Sequence, residues 1–438
     1  MHSGVRANLS AAAAQAVWRQ GLRPEDVGLI LRRVEQALPH LRFSEWDATS
    51  SIGQPEVRGR GATGGRGSFR CQVLAGGADL AAEVRGPVER VAELDRLILR
   101  DMAEEAAQLL EGPGRARGSL ADFGLATFSR AVARLLDPSL EWEVVAATLR
   151  SVRALASETY EGQRIPFGLV LTNRVAGGEP PMLSFENKRL KRLTDGYSTA
   201  LLLDRRGGLA SIVALVASRE SVRSRLSRPW WLRPLADTAA RVGGLGVALT
   251  RDGDLLVAHG RELVVSQRAG LWMLWRHADL LRSIRRSWRG SGAELDRVLA
   301  ALYRVALELA LRRSGGLLVI VPTAAEGRRL VTTKGDLLGS PLRPAEERRL
   351  DAGLGRLLVQ RADRRIVADL ASVDGALIVD RSGRLLAYGA MVRSLSGEST
   401  EGARSRAAVA ASRSGVAVKI SSDGGISVYA YGTPVVSL

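Results

Sequence analysis

Cysteine and histidine are scarce in this chain of 438 residues. The single cysteine, Cys71, excludes an intrachain disulfide, and the four histidines form no cluster with the spacing of a zinc site. Long apolar runs are also missing, because stretches such as Leu209 to Ala217 are too short for a membrane span of about 20 residues. The amino terminus lacks the apolar core of a signal peptide. We therefore expect a cytoplasmic protein without a transmembrane segment.

The composition is that of a globular chain with more than one domain. Apolar residues make up 46% and charged residues 25% of the sequence, which is enough apolar surface for packed cores. A length of 438 residues predicts two or three domains. The helix breakers Gly112-Pro113-Gly114 mark a linker. We expect a small α/β unit over residues 1–111, an α/β sensor-like or regulatory region over 119–290, and a third domain over 291–438.

The formal net charge of +17 favours attraction to polyanions such as nucleic acid, anionic membranes or nucleotides. Most of this charge is arginine spread over the whole length, which is the pattern of solvated faces. Local clusters such as residues 188–192 keep nucleic-acid binding open. No ordered nucleic-acid-binding motif supports it.

The third domain opens with an amphipathic helix followed by a buried strand. Ser291 and Glu294 have the spacing of a capping box, and apolar residues then recur at three- and four-residue steps to Leu309. Gly315 and Gly316 end the helix, and residues 317–321 read as a core strand.

Three polar motifs follow that strand. Asp374-Gly375-Ala376 places a carboxylate at the start of another strand. Residues 401–408 read as a glycine-led helix start with two arginines, which is typical of a phosphate site because free N–H groups and guanidiniums converge there. Residues 416–429 predict a β-hairpin whose turn carries Asp423. Each motif alone is more often a turn or a solvated face than a site.

Their order along the chain resembles the catalytic domain of the diadenylate cyclases, the family that includes the nucleotide domain of the DNA integrity scanning protein DisA. The matching segments are Gly315-Gly316-Leu317-Leu318-Val319-Ile320, Asp374-Gly375-Ala376, Gly402-Ala403-Arg404-Ser405-Arg406-Ala407-Ala408 with Ser412, and Ser421-Ser422-Asp423-Gly424-Gly425. The resemblance covers the last third of the chain. It implies an α/β fold with a mixed β-sheet flanked by helices, preceded by an α/β regulatory region.

The resemblance also implies a reaction and a set of roles. Two ATP-loaded domains of a homo-oligomer face each other and condense two ATP to cyclic di-AMP and pyrophosphate. Asp374, with Asp423 as a further contact, would hold Mg²⁺ or Mn²⁺, and Arg404 and Arg406 would bind phosphates. The other expected nucleotide-binding residues are Gly316, Leu317, Gly375, Ala376, Gly402, Ser405 and Ser412.

This chain departs from the family motif at its centre. The Thr and His of the family are Ala403 and Ser405 here, and a serine hydroxyl can neither carry charge nor reach as far as an imidazole. Two interpretations therefore stay open: an active cyclase, and a catalytically degenerate domain that binds a nucleotide as a sensor or effector.

Overall fold

The protein has the α/β fold class that the sequence predicts. A computed structural model describes residues 9–20, 23–38, 42–48, 68–75, 78–85, 93–111, 123–136, 140–175, 187–218, 227–286, 288, 292–393 and 402–437. The predicted linker at residues 112–114 lies outside these residues. No helix in the described part of the chain combines the length and the apolar character that a membrane crossing requires.

Contacts divide the chain into two compact units. The first unit comprises Met1–Ser218 and Leu232–Arg276, and the second comprises Arg219–Trp231 and His277–Leu438. Asp374 and Arg404 both belong to the second unit. The predicted division into three regions concerns which segments fold independently, and it stays a prediction.

The first unit combines helices with a small and a large sheet. Its described helices are α1 (Ala11–Arg19), α2 (Pro24–Ala37), α3 (Glu93–Glu111), α4 (Leu125–Leu136), α5 (Trp142–Ala154), α6 (Lys188–Arg192) and α7 (Arg233–Val242). The small sheet contains β1 (Arg42–Phe43), β2 (Asp47–Ala48), β3 (Ser68–Ala75) and β4 (Ala78–Arg85), and a short ribbon pairs β5 (Thr159–Tyr160) with β6 (Gln163–Arg164).

The large sheet of the first unit has the order β13-β12-β11-β10-β7-β8-β9. Its strands are β7 (Phe167–Thr172), β8 (Thr199–Leu203), β9 (Leu209–Ala214), β10 (Gly244–Leu249), β11 (Leu255–His259), β12 (Glu262–Arg268) and β13 (Leu271–Leu274). Strands β7 and β8 are parallel, and the other described neighbours are antiparallel. One apolar core joins this sheet to α4 and α5, with Phe128 and Leu149 fully buried.

The second unit is built on a sheet of order β16-β15-β14-β17-β18-β19. Its strands are β14 (Gly316–Val321), β15 (Ala376–Asp380), β16 (Leu385–Ala390), β17 (Val416–Ile420), β18 (Ile426–Ala430) and β19 (Thr433–Ser437). Strands β14 and β15 run parallel, and β14 and β17 run antiparallel. The predicted mixed sheet is therefore present.

Helices cover both faces of this sheet. They are α8 (His277–Arg286), α9 (Ala293–Leu311), α10 (Ala324–Leu330), α11 (Ala345–Leu354), α12 (Arg364–Ser372) and α13 (Ala403–Ser412). The apolar stripe of α9 is buried, as its periodicity predicts, and it contacts β14, β17 and β18. On the opposite face, α10 and α13 pack on Leu317, Val319 and Ala417 because side chains alternate between the two faces of a strand. A layer of helices on each side gives the sheet two cores.

Candidate functional site

Three of the predicted motifs meet at one end of the second sheet. Strands β14 and β15 begin there side by side, with Leu317 paired to Ala376. Strand β17 ends there, because it is antiparallel to β14 and pairs Ile420 with Gly316. Helix α13 begins at the same end and packs on β14 and β17. The topology therefore brings together side chains that lie up to about a hundred residues apart in the sequence.

Asp374 and Arg404 are in contact at this corner. The Nη2 atom of Arg404 lies 3.4 Å from Oδ1 of Asp374. The Asp374 side chain is 94% exposed and that of Arg404 is 45% exposed. An exposed ion pair contributes only about 0–1 kcal/mol to stability. Both charged groups are consequently accessible to a ligand, and the fold loses little if they exchange partners.

Two glycines, Gly315 and Gly375, lie beside the Asp374–Arg404 pair. The guanidinium of Arg404 lies over Gly315, so a side chain at that position would displace it. At Gly375 the backbone has φ +113, a conformation that favours glycine, and a Cβ there would collide with Gly389. Gly375 therefore has a structural reason to be glycine, whereas Gly315 leaves room for the Arg404 side chain.

Lys419 also belongs to this corner, although sequence reasoning did not find it. Its Nζ donates a hydrogen bond of 2.9 Å to the hydroxyl of Ser405, which is buried. The available signal was a charged residue in the otherwise apolar strand Val416–Ile420, and one of only four lysines in the chain. Lysine is rarely placed in such a strand unless its charge has a partner or a role.

The amino terminus of α13 adds positive potential between these cations. Gly402 caps the helix without a side-chain hydrogen bond, and its carbonyl accepts from the backbone N–H groups of Ser405 and Arg406. The first N–H groups of a helix and its dipole attract anions. Together with Arg404 and Lys419, this terminus favours an anion at the corner.

The predicted residues Gly316 and Leu317 lie at the start of β14, and the alternation of the strand turns them to opposite faces. Leu317 packs in the core beside α13, together with Ala376. A Cβ at Gly316 would instead point towards the carbonyl of Ala371, on the other face. Of the two, Leu317 lies on the face that carries Arg404.

Ser412 lies away from the Asp374–Arg404 pair, and Asp423 lies in the turn that follows β17 at the same end of the sheet. Ser412 lies eight residues further along α13, about 12 Å at 1.5 Å per residue. There its hydroxyl donates to the carbonyl of Val409 and accepts from the N–H of Gly432. Oδ1 of Asp423 accepts hydrogen bonds from the hydroxyl of Ser421 and the N–H of Gly425 within the turn between β17 and β18. Both side chains hold turns or helix ends together.

Arg406 is half-buried and leaves the helix on a different side from Arg404. Two residues correspond to about 200° around a helix of 3.6 residues per turn. The contact with Asp374 is made by Arg404. The two arginines of the motif therefore have different surroundings.

The acidic residues fit a cation that shares its coordination with phosphates. In the described part of the chain, no three His, Cys, Asp or Glu side chains converge as a ready metal cage. Mg²⁺ usually keeps several waters and takes one or two carboxylates plus substrate phosphates. The exposed carboxylate of Asp374 meets that requirement, and the exposed Asp423 accepts hydrogen bonds at Oδ1 within its own turn.

Two solved structures are similar to part of this chain. The first is a double mutant of DacA from Staphylococcus aureus, with 16% sequence identity, coverage of 33% of this chain and 87% of that chain, and a TM-score of 0.23. The second is a hypothetical membrane-spanning protein from Bacillus cereus, with 17% identity, coverage of 33% and 73%, and a TM-score of 0.23. No protein-family profile and no curated protein sequence matches the chain.

Proposed function

We propose that the second unit binds ATP at this corner and acts as a diadenylate-cyclase-like nucleotidyltransferase. One observation carries the proposal: Asp374 and Arg404, which lie on motifs 30 residues apart, meet at 3.4 Å where α13 begins. The pair combines a carboxylate with a phosphate-binding cation, as nucleotidyl transfer requires.

The charge of each residue at the corner determines its proposed role. Arg404 and Lys419 would neutralise the phosphates, since charge-assisted hydrogen bonds to phosphate are the strongest kind available to a side chain. Asp374 would hold a divalent cation, Mg²⁺ or Mn²⁺, which supplies Lewis-acid stabilisation of the charge on the phosphates. Ser405 would keep the ammonium group of Lys419 in place through their hydrogen bond.

The proposed reaction is balanced with ATP as the only substrate. The 3′-oxygen of each ATP forms a bond to the α-phosphorus of the other, and the bond from that phosphorus to pyrophosphate breaks. Each hydroxyl proton leaves to solvent. Because each ATP attacks the other, two loaded domains must face each other, so the proposal includes a homo-oligomer.

A second candidate function is nucleotide binding without turnover. Ser405 favours it, because the position that holds an imidazole in the family motif holds a buried hydroxyl bonded to Lys419 here. A buried serine cannot supply the charge of a histidine. In this case the unit would report nucleotide levels as a sensor or effector.

Product analysis separates the two candidates. The purified chain is incubated with ATP and Mg²⁺ or Mn²⁺, and cyclic di-AMP is sought by mass spectrometry. The variant Asp374→Asn should abolish product because the amide keeps the shape and loses the charge. The variant Asp369→Asn is a matched control, since Asp369 is also exposed and lies 3.3 Å from an arginine of the same unit.

Each outcome has one reading. Product that disappears in Asp374→Asn and persists in Asp369→Asn supports the cyclase. ATP binding without product supports the binding-only domain. A folded chain that neither binds ATP nor forms product would refute both candidates.

A further inference from the structure

The large sheets of the two units have the same topology. The first unit contains the order β9-β8-β7-β10-β11-β12, and the second contains β16-β15-β14-β17-β18-β19. In each sheet the second and third strands of this order are parallel, and the other neighbours are antiparallel. Helix α7 packs on β7, β10 and β11 as α13 packs on β14, β17 and β18.

The strand registers match residue by residue. In the first unit Leu169 pairs with Leu201 on one side and with Val247 on the other. In the second unit Leu318 pairs with Leu377 and Val418 in the same way. Two irregularities coincide, because the register shifts at Leu202/Leu203 and Ile378/Val379, and again at Val257/Ala258 and Val428/Tyr429, whereas the shift at Ala376/Ile378 occurs in the second unit only. Shared register shifts are specific features, since the regular pairing is interrupted at the same point of the strand order.

The turn after the second strand of each copy has the same hydrogen bonds. The N–H of Asp204 donates to the carbonyl of Gly208 at 2.9 Å, and the N–H of Asp380 donates to that of Arg384 at 3.1 Å. Each carboxylate accepts from the backbone N–H groups two and four residues further on. The glycine three residues after each aspartate has φ +81 in the first copy and +84 in the second.

The hairpin that follows the central strands is shared as well. The N–H of Thr250 donates to the backbone carbonyl of Asp254 in the first copy, and the N–H of Ser421 donates to that of Gly425 in the second, both at 2.9 Å. The next turn has two residues with positive φ in both copies. Two unrelated α/β units need not agree in turn, bulge and register at the same positions.

We infer that the chain contains two copies of one fold, and that only the carboxyl-terminal copy retains an open ligand site. This inference rests on the proposed function for the identity of the ligand. The amino-terminal copy comprises β7 to β12 with α7, inside the region predicted to be sensor-like.

The shared register identifies residues that differ between the two copies. Leu201 corresponds to Leu377, and counting back three residues from each places Ser198 at the position of Asp374. Ala248 takes the place of Lys419, since Val247 corresponds to Val418. The carboxylate and the ammonium group of the candidate site are therefore replaced by a hydroxyl and a methyl.

A turn also closes the equivalent surface. Gly168 corresponds to Leu317, and the backbone of Gly196 lies so close to it that a Cβ on Gly168 would collide. The N–H of Gly168 donates to Oγ1 of Thr194 at 3.1 Å, which ties the turn to β7. Among the described residues, the backbone at Gly196 thus covers the surface of the amino-terminal copy that corresponds to the surface at Leu317.

The acidic residue of that turn holds the turn together. Oδ1 of Asp195 accepts hydrogen bonds from the N–H groups of Tyr197, Ser198 and Thr199 at 2.8, 2.7 and 3.2 Å. Asp195-Gly196 and Asp374-Gly375 therefore have the same dipeptide sequence, but Asp195 stabilises its own turn whereas Asp374 contacts Arg404. One chain should bind one nucleotide, and a second loaded domain must come from a second copy of the chain.

Binding stoichiometry tests the inference on the full chain. Native mass spectrometry with a non-hydrolysable ATP analogue should show one nucleotide per chain. An 8-azido-ATP photolabel should modify peptides from residues 374–419 and spare peptides from 194–200. Arg404→Ala should weaken binding at least tenfold, whereas Asp195→Asn, the same change in the Asp-Gly dipeptide of the amino-terminal copy, should leave stoichiometry and affinity unchanged.

The outcomes distinguish this inference from the proposed function. Three results would refute the inference that the amino-terminal copy has no open site, while the proposed function stands. They are two nucleotides per chain, labelling within residues 194–200, or weaker binding by Asp195→Asn. A folded chain that binds no nucleotide would overturn both. A single nucleotide lost in Arg404→Ala and kept in Asp195→Asn supports both.

Discussion

The replacement Arg404→Ala is the sharpest test of the candidate site. Arg404 contacts Asp374 at an exposed corner, so its removal should change the free energy of unfolding by less than about 1 kcal/mol. A charge-assisted hydrogen bond to a phosphate is worth about 1.5–3 kcal/mol. Since about 1.4 kcal/mol corresponds to a factor of ten, ATP affinity should fall by about 10- to 150-fold.

Isothermal titration calorimetry with a non-hydrolysable ATP analogue measures the effect. Arg413→Ala is the matched control, because Arg413 is an exposed arginine at the far end of the same helix. Arg406→Ala should cost less than Arg404→Ala, since helical geometry directs it to another side. Wild-type affinity in folded Arg404→Ala, or an equal loss in Arg413→Ala, would refute the assignment of this corner as the phosphate site.

Three further changes test the site and its supports. Lys419→Met should weaken binding of the ATP analogue about tenfold or more in the same titration, because it removes a cation from the phosphate site. Asp363→Ala should lower the free energy of unfolding by about 1 kcal/mol at pH 7 in urea denaturation, since Asp363 caps α12. Because the hydrogen bond from Arg365 holds the pKa of the Asp363 carboxyl below its usual range, this stabilisation is present above the unfolded pKa and is lost as the pH falls through the folded pKa. An equal cost at pH 3 would contradict this pH dependence. Glu308→Ala should cost about 2–4 kcal/mol in the same assay because the buried carboxylate accepts from the N–H of Trp230, and an unchanged midpoint would count against that role.

Local patterns were sufficient for the first helix and the first strand of the predicted third domain. The apolar spacing along residues 295–309 predicts a helix with one buried face, and α9 buries that face. The run at 317–321 predicts a core strand, and β14 is buried throughout. Both signals are local, because helix and strand periods can be read from a few neighbouring residues.

The composition of the site was predictable only in part. The motifs around Asp374 and Arg404 are visible in the sequence, and the structure places their side chains in contact. Lys419 was missed because its role depends on the hydrogen bond to Ser405 across a helix and a strand. The position of Ser412 was also beyond local reasoning, since its spacing within the motif does not reveal that its hydroxyl binds the turn at Gly432.

The sequence by itself determined the fold class, the buried faces of single helices and strands, and the charged motifs that a nucleotide would need. Tertiary structure alone decided which of those charges meet, because contacts across a sheet depend on strand order and register. It also revealed the second copy of the fold, which the sequence does not show because short apolar strands have similar sequences in many folds. Asp195-Gly196 and Asp374-Gly375 share two residues in sequence, and only the backbone around Gly168 shows that one of them closes a surface.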